Sequence, residues 1–270
     1  MAIEVRQRAV GHSADNMDNP AASSVAVAVD QSAGVAESCS QQTAGVSTSL
    51  GQEGAFVVHA FALLCYVRVW LWHLTPAAQL LPGSTGFGWF FRYLTFYSFS
   101  WQMLQLFIAC LADISKDPHN SRLLNMWADD LSCALFGMAN SVTAMFYLID
   151  ATTGKDALVE GGEIDRPPWL GFSVHVFNTI VAWADIFCAH PRSFSKRSGR
   201  LSVGIIAFYT VWILICSHFN GAFPYPILNT LPWPAGFIGM ATTSIVVFYM
   251  MFLAGRQLCK TLLLKRSKVE

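Results

Sequence analysis

Six long apolar runs dominate the sequence, at about residues 55–73, 91–112, 128–149, 169–189, 202–219 and 236–257. Each is close to the ~20 residues that carry an α-helix across a ~30 Å hydrocarbon core. None shows the apolar–polar alternation of a half-buried strand. In a bilayer only helices and closed barrels satisfy their own backbone groups. The pattern therefore predicts an all-α integral membrane bundle of six transmembrane helices within residues 54–259. Charge content points the same way, since Asp, Glu, Lys and Arg make up 13% of the 270 residues, against roughly 25% in soluble domains. The first and fifth runs are the least regular, because Arg68 interrupts one and the other is short.

The flanks and loops predict how such a bundle threads the membrane. Residues 1–53 are rich in Ala, Ser, Val, Gly and Gln and contain no aromatic residue. A segment of that composition buries too little apolar surface to offset its ordering entropy, which predicts a disordered tail. Residues 260–270 form a basic tail with Lys260, Lys265, Arg266 and Lys268. Lys116 and Arg122 follow the second run, and Arg192, Lys196, Arg197 and Arg200 follow the fourth. Lys and Arg are absent from residues 74–90 and 220–235, and in residues 151–168 Lys155 and Arg166 are outnumbered by Asp156, Glu160, Glu163 and Asp165. Basic side chains concentrate on the cytosolic side of short loops. The alternation thus predicts cytosolic N- and C-termini and an even number of spans.

Several function classes find no support. The net charge is zero, which leaves no electrostatic footprint for nucleic acid. The seven cysteines show no CxxC spacing and no disulfide framework, and most fall in apolar runs, as small buried hydrophobes do. No two histidines stand at i, i+4 and no carboxylate lies at metal-ligand spacing from one, so no metal site is expected. A Gly-x-Ser-x-Gly elbow, a phosphate loop and a dinucleotide fingerprint are all missing, and no cofactor is expected.

Polar residues inside the spans are the remaining source of chemistry. His175 follows Pro167-Pro168-Trp169-Leu170-Gly171-Phe172-Ser173-Val174 and sits among apolar neighbours. An ionisable group at that depth is a functional candidate, or else a packing histidine bonded to a neighbouring helix. Thr95 lies about four residues into the second span and His175 about six into the fourth. Both spans enter from the non-cytosolic side, so at 1.5 Å rise per residue both lie roughly 6–9 Å deep. A threonine there commonly bonds the carbonyl one turn back, here Phe91. Spacing alone does not choose Thr95 over Ser98, Ser100, Ser141 or Thr143. Asp185, about 15 Å of helix rise beyond His175, is expected to pair with a loop base such as Arg192. Asp130, at the start of the third run, is expected near a helix N-terminus. His73, His190 and His218, near span ends, are expected to be interfacial.

These residues carry a resemblance. Tyr93-Leu94-Thr95-Phe96, Asp130, Pro168-Trp169-Leu170 with His175, Asp185, the loop Ser193-Phe194-Ser195-Lys196-Arg197-Ser198-Gly199 and Tyr225-Pro226 occur in order over residues 85–260. In this ordered set the chain resembles the androgen-induced, androgen-dependent TFPI-regulating family of membrane proteins. The resemblance implies a six-helix hydrolase of esters between fatty acids and hydroxy fatty acids, with a threonine nucleophile and a histidine base carried over to Thr95 and His175. The expected partner is then a lipid ester drawn from the bilayer, in the endoplasmic reticulum or the plasma membrane. Asn178 and Ser98 are candidate oxyanion donors, and Arg68 is a candidate ligand for a fatty carboxylate. The chain departs from the family at Phe172, where a second histidine is common, and in Leu135-Phe136-Gly137-Met138-Ala139, which lacks a family proline. Two other readings are a small transporter whose path Arg68, His175 and Asp185 line, and a non-catalytic membrane adaptor.

Overall fold

The computed structural model describes residues 49–154, 167–188 and 192–266. The expected disordered tail lies outside the described residues except for its last five positions, which are helical. Among the described residues there is no strand, and six helices are long and apolar enough to cross a membrane. They are α1 (Ser49–Trp72), α2 (Leu94–Ile114), α3 (Pro118–Thr153), a fourth span from Pro168 to Phe187, α6 (Lys196–Asn220) and α8 (Ala235–Arg266). The fourth span is composite: α4 (Pro168–Phe172), a π-helical turn (Ser173–Phe177) and α5 (Asn178–Cys188). A short helix, α7 (Pro226–Thr230), precedes α8.

Helix α3 begins ten residues before the apolar run that announced it. Pro118 occupies its first turn, and the Asp117 carboxylate accepts from the His119 amide at 2.9 Å, a cap that starts a helix through polar sequence. Asp130 therefore lies well inside α3, not at its N-terminus. Ser195 caps α6 in the same way, accepting from the Ser198 amide at 3.1 Å.

At the centre of the bundle stands α3, which packs against α2, α5, α6 and α8. Its residues from Asp130 to Val142 are all buried, as expected of a helix apolar on every side. A side chain at Gly137 would place its Cβ 2.9 Å from the Phe248 carbonyl oxygen, so the α3 backbone lies directly against the backbone and ring of Phe248 in α8. Small residues allow such close approach where no hydrophobic force drives membrane helices together. Leu64, Val203, Phe208 and Met250 point outward, an exterior suited to lipid.

Two polar clusters knit the end of the bundle where α1 begins and α2 and α5 finish. The His59 imidazole bridges Asp113 (2.7 Å) and Asp185 (2.9 Å), and Asp185 also takes the Arg192 Nε–H at 2.9 Å and the Ser132 hydroxyl. The expected Asp185–Arg192 pair is thus present, within a larger network. Burial opposes the Arg192 charge, but the adjacent Asp185 carboxylate outweighs it and raises the guanidinium pKa above its ordinary value. Nearby, Asp129 receives the Ser193 amide at 3.0 Å, and Asp130 pairs with Ser195 (3.1 Å) and Arg197 (2.8 Å). The basic Ser/Gly loop is therefore docked onto α3 by the acidic pair opposite it.

Candidate active site

At the opposite end of the bundle a cavity of about 260 Å³ opens among α2, α3, α6, α8, the π turn and the segment between α1 and α2. Thr95 and His175 both line it. None of its lining residues is Asp, Glu, Lys or Arg, and most are aliphatic or aromatic.

Thr95 is the second residue of α2. Among the described residues its hydroxyl makes no bond back to the Phe91 carbonyl, which accepts the Trp212 indole N–H at 3.1 Å. Trp212 and Tyr209, on α6, hold the residues before α2: the Tyr209 hydroxyl donates to the Arg92 carbonyl at 3.0 Å. The Arg92 guanidinium donates in turn to the carbonyls of Thr85 (2.8 Å) and Pro82 (2.6 Å). The entry to α2 is thus fixed by side chains from α6 and from its own loop, and Thr95 is left facing the cavity.

His175 sits in the middle of the π turn. In an α-helix its carbonyl would receive the Thr179 amide. Here that amide goes to the Asn178 Oδ1 at 2.7 Å, and the His175 carbonyl receives the Thr143 hydroxyl from α3 instead. The Thr179 hydroxyl lies 2.7 Å from the Thr143 hydroxyl and 3.0 Å from the Ala139 carbonyl, and its one proton goes to either acceptor. These side chains satisfy the backbone groups that an extra residue in the turn displaces. Phe146 stacks on the imidazole with ring centroids 3.6 Å apart. The π turn and the stack together set the direction of the ring.

The other expected residues fall elsewhere. Asn178 is fully buried, does not line the cavity, and spends its carbonyl oxygen on the π turn. Ser98 is fully buried away from the cavity. Arg68 is exposed outside it, with its guanidinium 4.9 Å above the Trp169 ring. Asp185 belongs to the distant ionic network, so no path joins it to His175 along the cavity wall.

The structure adds groups that spacing did not single out. His73, expected at the interface, is buried and lines the cavity; its Nδ1 bonds the Val69 carbonyl at 2.8 Å, which requires the proton on Nδ1. Ser141 and Tyr225 also line the cavity. Ser141 had stood among the hydroxyls that spacing could not choose between, and Tyr225 was marked through the Tyr-Pro pair.

An all-helical bundle of six candidate spans, with a hydroxyl and an imidazole on one apolar cavity, defines a class: a multi-pass membrane protein with a largely apolar cavity inside its bundle. Residues 55–260 match the family described as FAR-17a/AIG1-like protein, and the chain belongs to that family. No curated protein matches it, and no solved structure does.

Proposed function

We propose that the chain is an integral membrane hydrolase that cleaves the ester bond of fatty acid esters of hydroxy fatty acids, with Thr95 as nucleophile and His175 as base. The observation that carries this reading is that the two side chains, far apart in sequence and on different helices, share one cavity. Family membership supports it. So does the lining, whose lack of carboxylates and cations suits two acyl chains and an uncharged ester.

The chemistry follows from the two groups. Neutral imidazole exchanges protons near neutral pH, and a threonine hydroxyl is a weak nucleophile until a base takes its proton. His175 accepts the Thr95 proton as Oγ1 attacks the ester carbonyl. The tetrahedral intermediate collapses, and His175 gives that proton to the departing hydroxy fatty acid, leaving an acyl-threonine. Water, deprotonated by the same imidazole, then attacks the acyl carbon, releases the fatty acid and restores Thr95. With the basic loops in the cytosol, the cavity belongs to the non-cytosolic leaflet, where acyl chains enter from lipid and water from the interface.

The test uses purified protein in proteoliposomes. Thr95→Ala and His175→Ala are each expected to abolish ester cleavage while the protein stays inserted and folded. A fluorophosphonate probe should label the wild type and not Thr95→Ala. Retained turnover in either variant eliminates the pair.

A further inference from the structure

The proposed reaction passes through a tetrahedral oxyanion, and donors aimed at the developing charge are the largest single contribution in acyl transfer. The sequence candidates for that role, Asn178 and Ser98, do not line the cavity. The first turn of α2 offers others.

A helix leaves its first amides without intrahelical acceptors. In α2 the Tyr93 amide reaches the Phe90 carbonyl at 3.1 Å, and the Tyr97 amide reaches the Tyr93 carbonyl at 3.0 Å. The Leu94 amide donates to the Tyr225 hydroxyl at 2.8 Å. No side chain caps the helix, and among the described residues no hydrogen bond is made by the amides of Thr95 and Phe96. Both residues line the cavity. The α2 N-terminus thus presents free donors beside the nucleophile, in the direction that favours negative charge.

Tyr225 stands over this turn. Its ring meets Tyr93 edge to face at 5.7 Å. Its loop is clamped by Asn229, which accepts the Phe223 amide at 2.8 Å and donates to the Phe223 carbonyl at 3.0 Å. Pro226 starts α7 immediately after it. Burial pushes the Tyr225 phenol up to about 12, so it stays protonated at working pH and can donate. The neighbouring Tyr209 has its one proton on the Arg92 carbonyl, so in the hydrogen bond between the two phenols the Tyr225 proton is the shared one, and an incoming oxyanion, a stronger acceptor than a neutral phenol, draws it away. A second observation is independent of this turn: Ser141, 4% exposed and lining the same cavity, has a hydroxyl with no partner among the described residues. Buried polar groups are normally satisfied, and a hydroxyl left open on a ligand cavity is one that a ligand completes.

We propose that Tyr225 is a further catalytic residue, whose phenol donates, together with the free first-turn amides of α2, to the oxyanion formed when Thr95 is acylated. This rests on Thr95 being the nucleophile. It also gives the Tyr-Pro pair a chemical role, because that pair and the Tyr-Leu-Thr-Phe stretch meet at one hydrogen bond.

The test compares Tyr225→Phe with wild type in proteoliposomes, using an oxoester and the corresponding thionoester, whose sulfur is a poor acceptor. Loss of one oxyanion donor costs about 10²–10³ in kcat. That fall is expected for the oxoester with KM and thermal stability little changed, and at most a threefold fall for the thionoester. An equal fall for both substrates, or an oxoester kcat within threefold of wild type, overturns the proposal. Should Tyr225→Phe misfold, a ring-fluorinated tyrosine introduced at position 225 ionises at lower pH. Its activity should fall with rising pH over a range where wild type is flat, and a flat profile overturns the proposal too. Thr95→Ala run alongside separates the two readings: if it retains turnover, the nucleophile assignment fails whatever Tyr225 does; if only Tyr225→Phe is silent, the oxyanion assignment fails alone.

Discussion

Neutralising Asp185 should destabilise this protein by several kcal/mol without touching the cavity. The Asp185 carboxylate receives His59 Nε2 at 2.9 Å, Arg192 Nε at 2.9 Å and the Ser132 hydroxyl. Arg192 and Asp185 are 5% and 3% exposed at their side chains, so water cannot replace the lost charge. Asp185→Asn keeps the shape and one acceptor oxygen but leaves the guanidinium buried without its counter-charge. Breaking such a pair from one side costs about 3–5 kcal/mol. For a domain of this size that corresponds to a fall of roughly 6–20 °C in the unfolding midpoint, measurable by thermal unfolding in detergent. Replacing both partners by apolar residues, Asp185→Leu with Arg192→Met, should recover most of the loss, because the penalty lies in the unpaired charge and not in the absence of the pair. An Asp185→Asn midpoint within about 2 °C of wild type, or a double variant no better than the single, would show that the network contributes little.

Other changes separate the roles of neighbouring residues. Thr143→Val should leave the His175 carbonyl without its donor, at a cost of about 1–3 kcal/mol. It should let the π turn relax and lower ester turnover on the order of tenfold or more; wild-type turnover would show that the turn does not aim the imidazole. Gly137→Val should destabilise the α3–α8 contact by about 1–3 kcal/mol, whereas Gly204→Ala, inside α6 with nothing within 4 Å of its new Cβ, should raise the unfolding midpoint by a few degrees, because alanine favours a helix interior over glycine by about 0.5–1 kcal/mol. Arg68→Gln should bind acids and neutral esters as wild type does, since Arg68 lies outside the cavity; a selective loss of acid binding would place it in the site after all. Arg197→Gln should cost under about 1 kcal/mol by thermal unfolding, because the Arg197 side chain is 42% exposed and solvent screens its pairing with Asp130.

The candidate site was legible only in part. Thr95 and His175 were named by resemblance, and depth alone put them at one level of the membrane. Depth says nothing about which helices are neighbours or which way a side chain turns. Asn178 and Ser98 shared the level and the chemistry of a donor, yet they face the packed interior. Their direction follows from helical phase and from a π turn that no residue type announces. His59 had no signal at all, since a histidine early in a span acquires meaning only when Asp113 and Asp185 arrive beside it from two other helices. The start of α3 was hidden for another reason: residues 118–127 mix polar side chains with Leu123, Leu124, Met126 and Trp127, and apolar content marks where a helix meets lipid, not where its hydrogen bonds begin.

The order of apolar runs determined by itself that the chain is a six-helix membrane bundle, because a bilayer leaves a polar backbone almost no alternative and the length of a span is set by the thickness of the hydrocarbon. Which helix is central, which residues face the cavity and which buried polar groups find one another were decided only by tertiary packing. Those outcomes depend on the rotation and close approach of helices, which small residues such as Gly137 and a single displaced turn at His175 control.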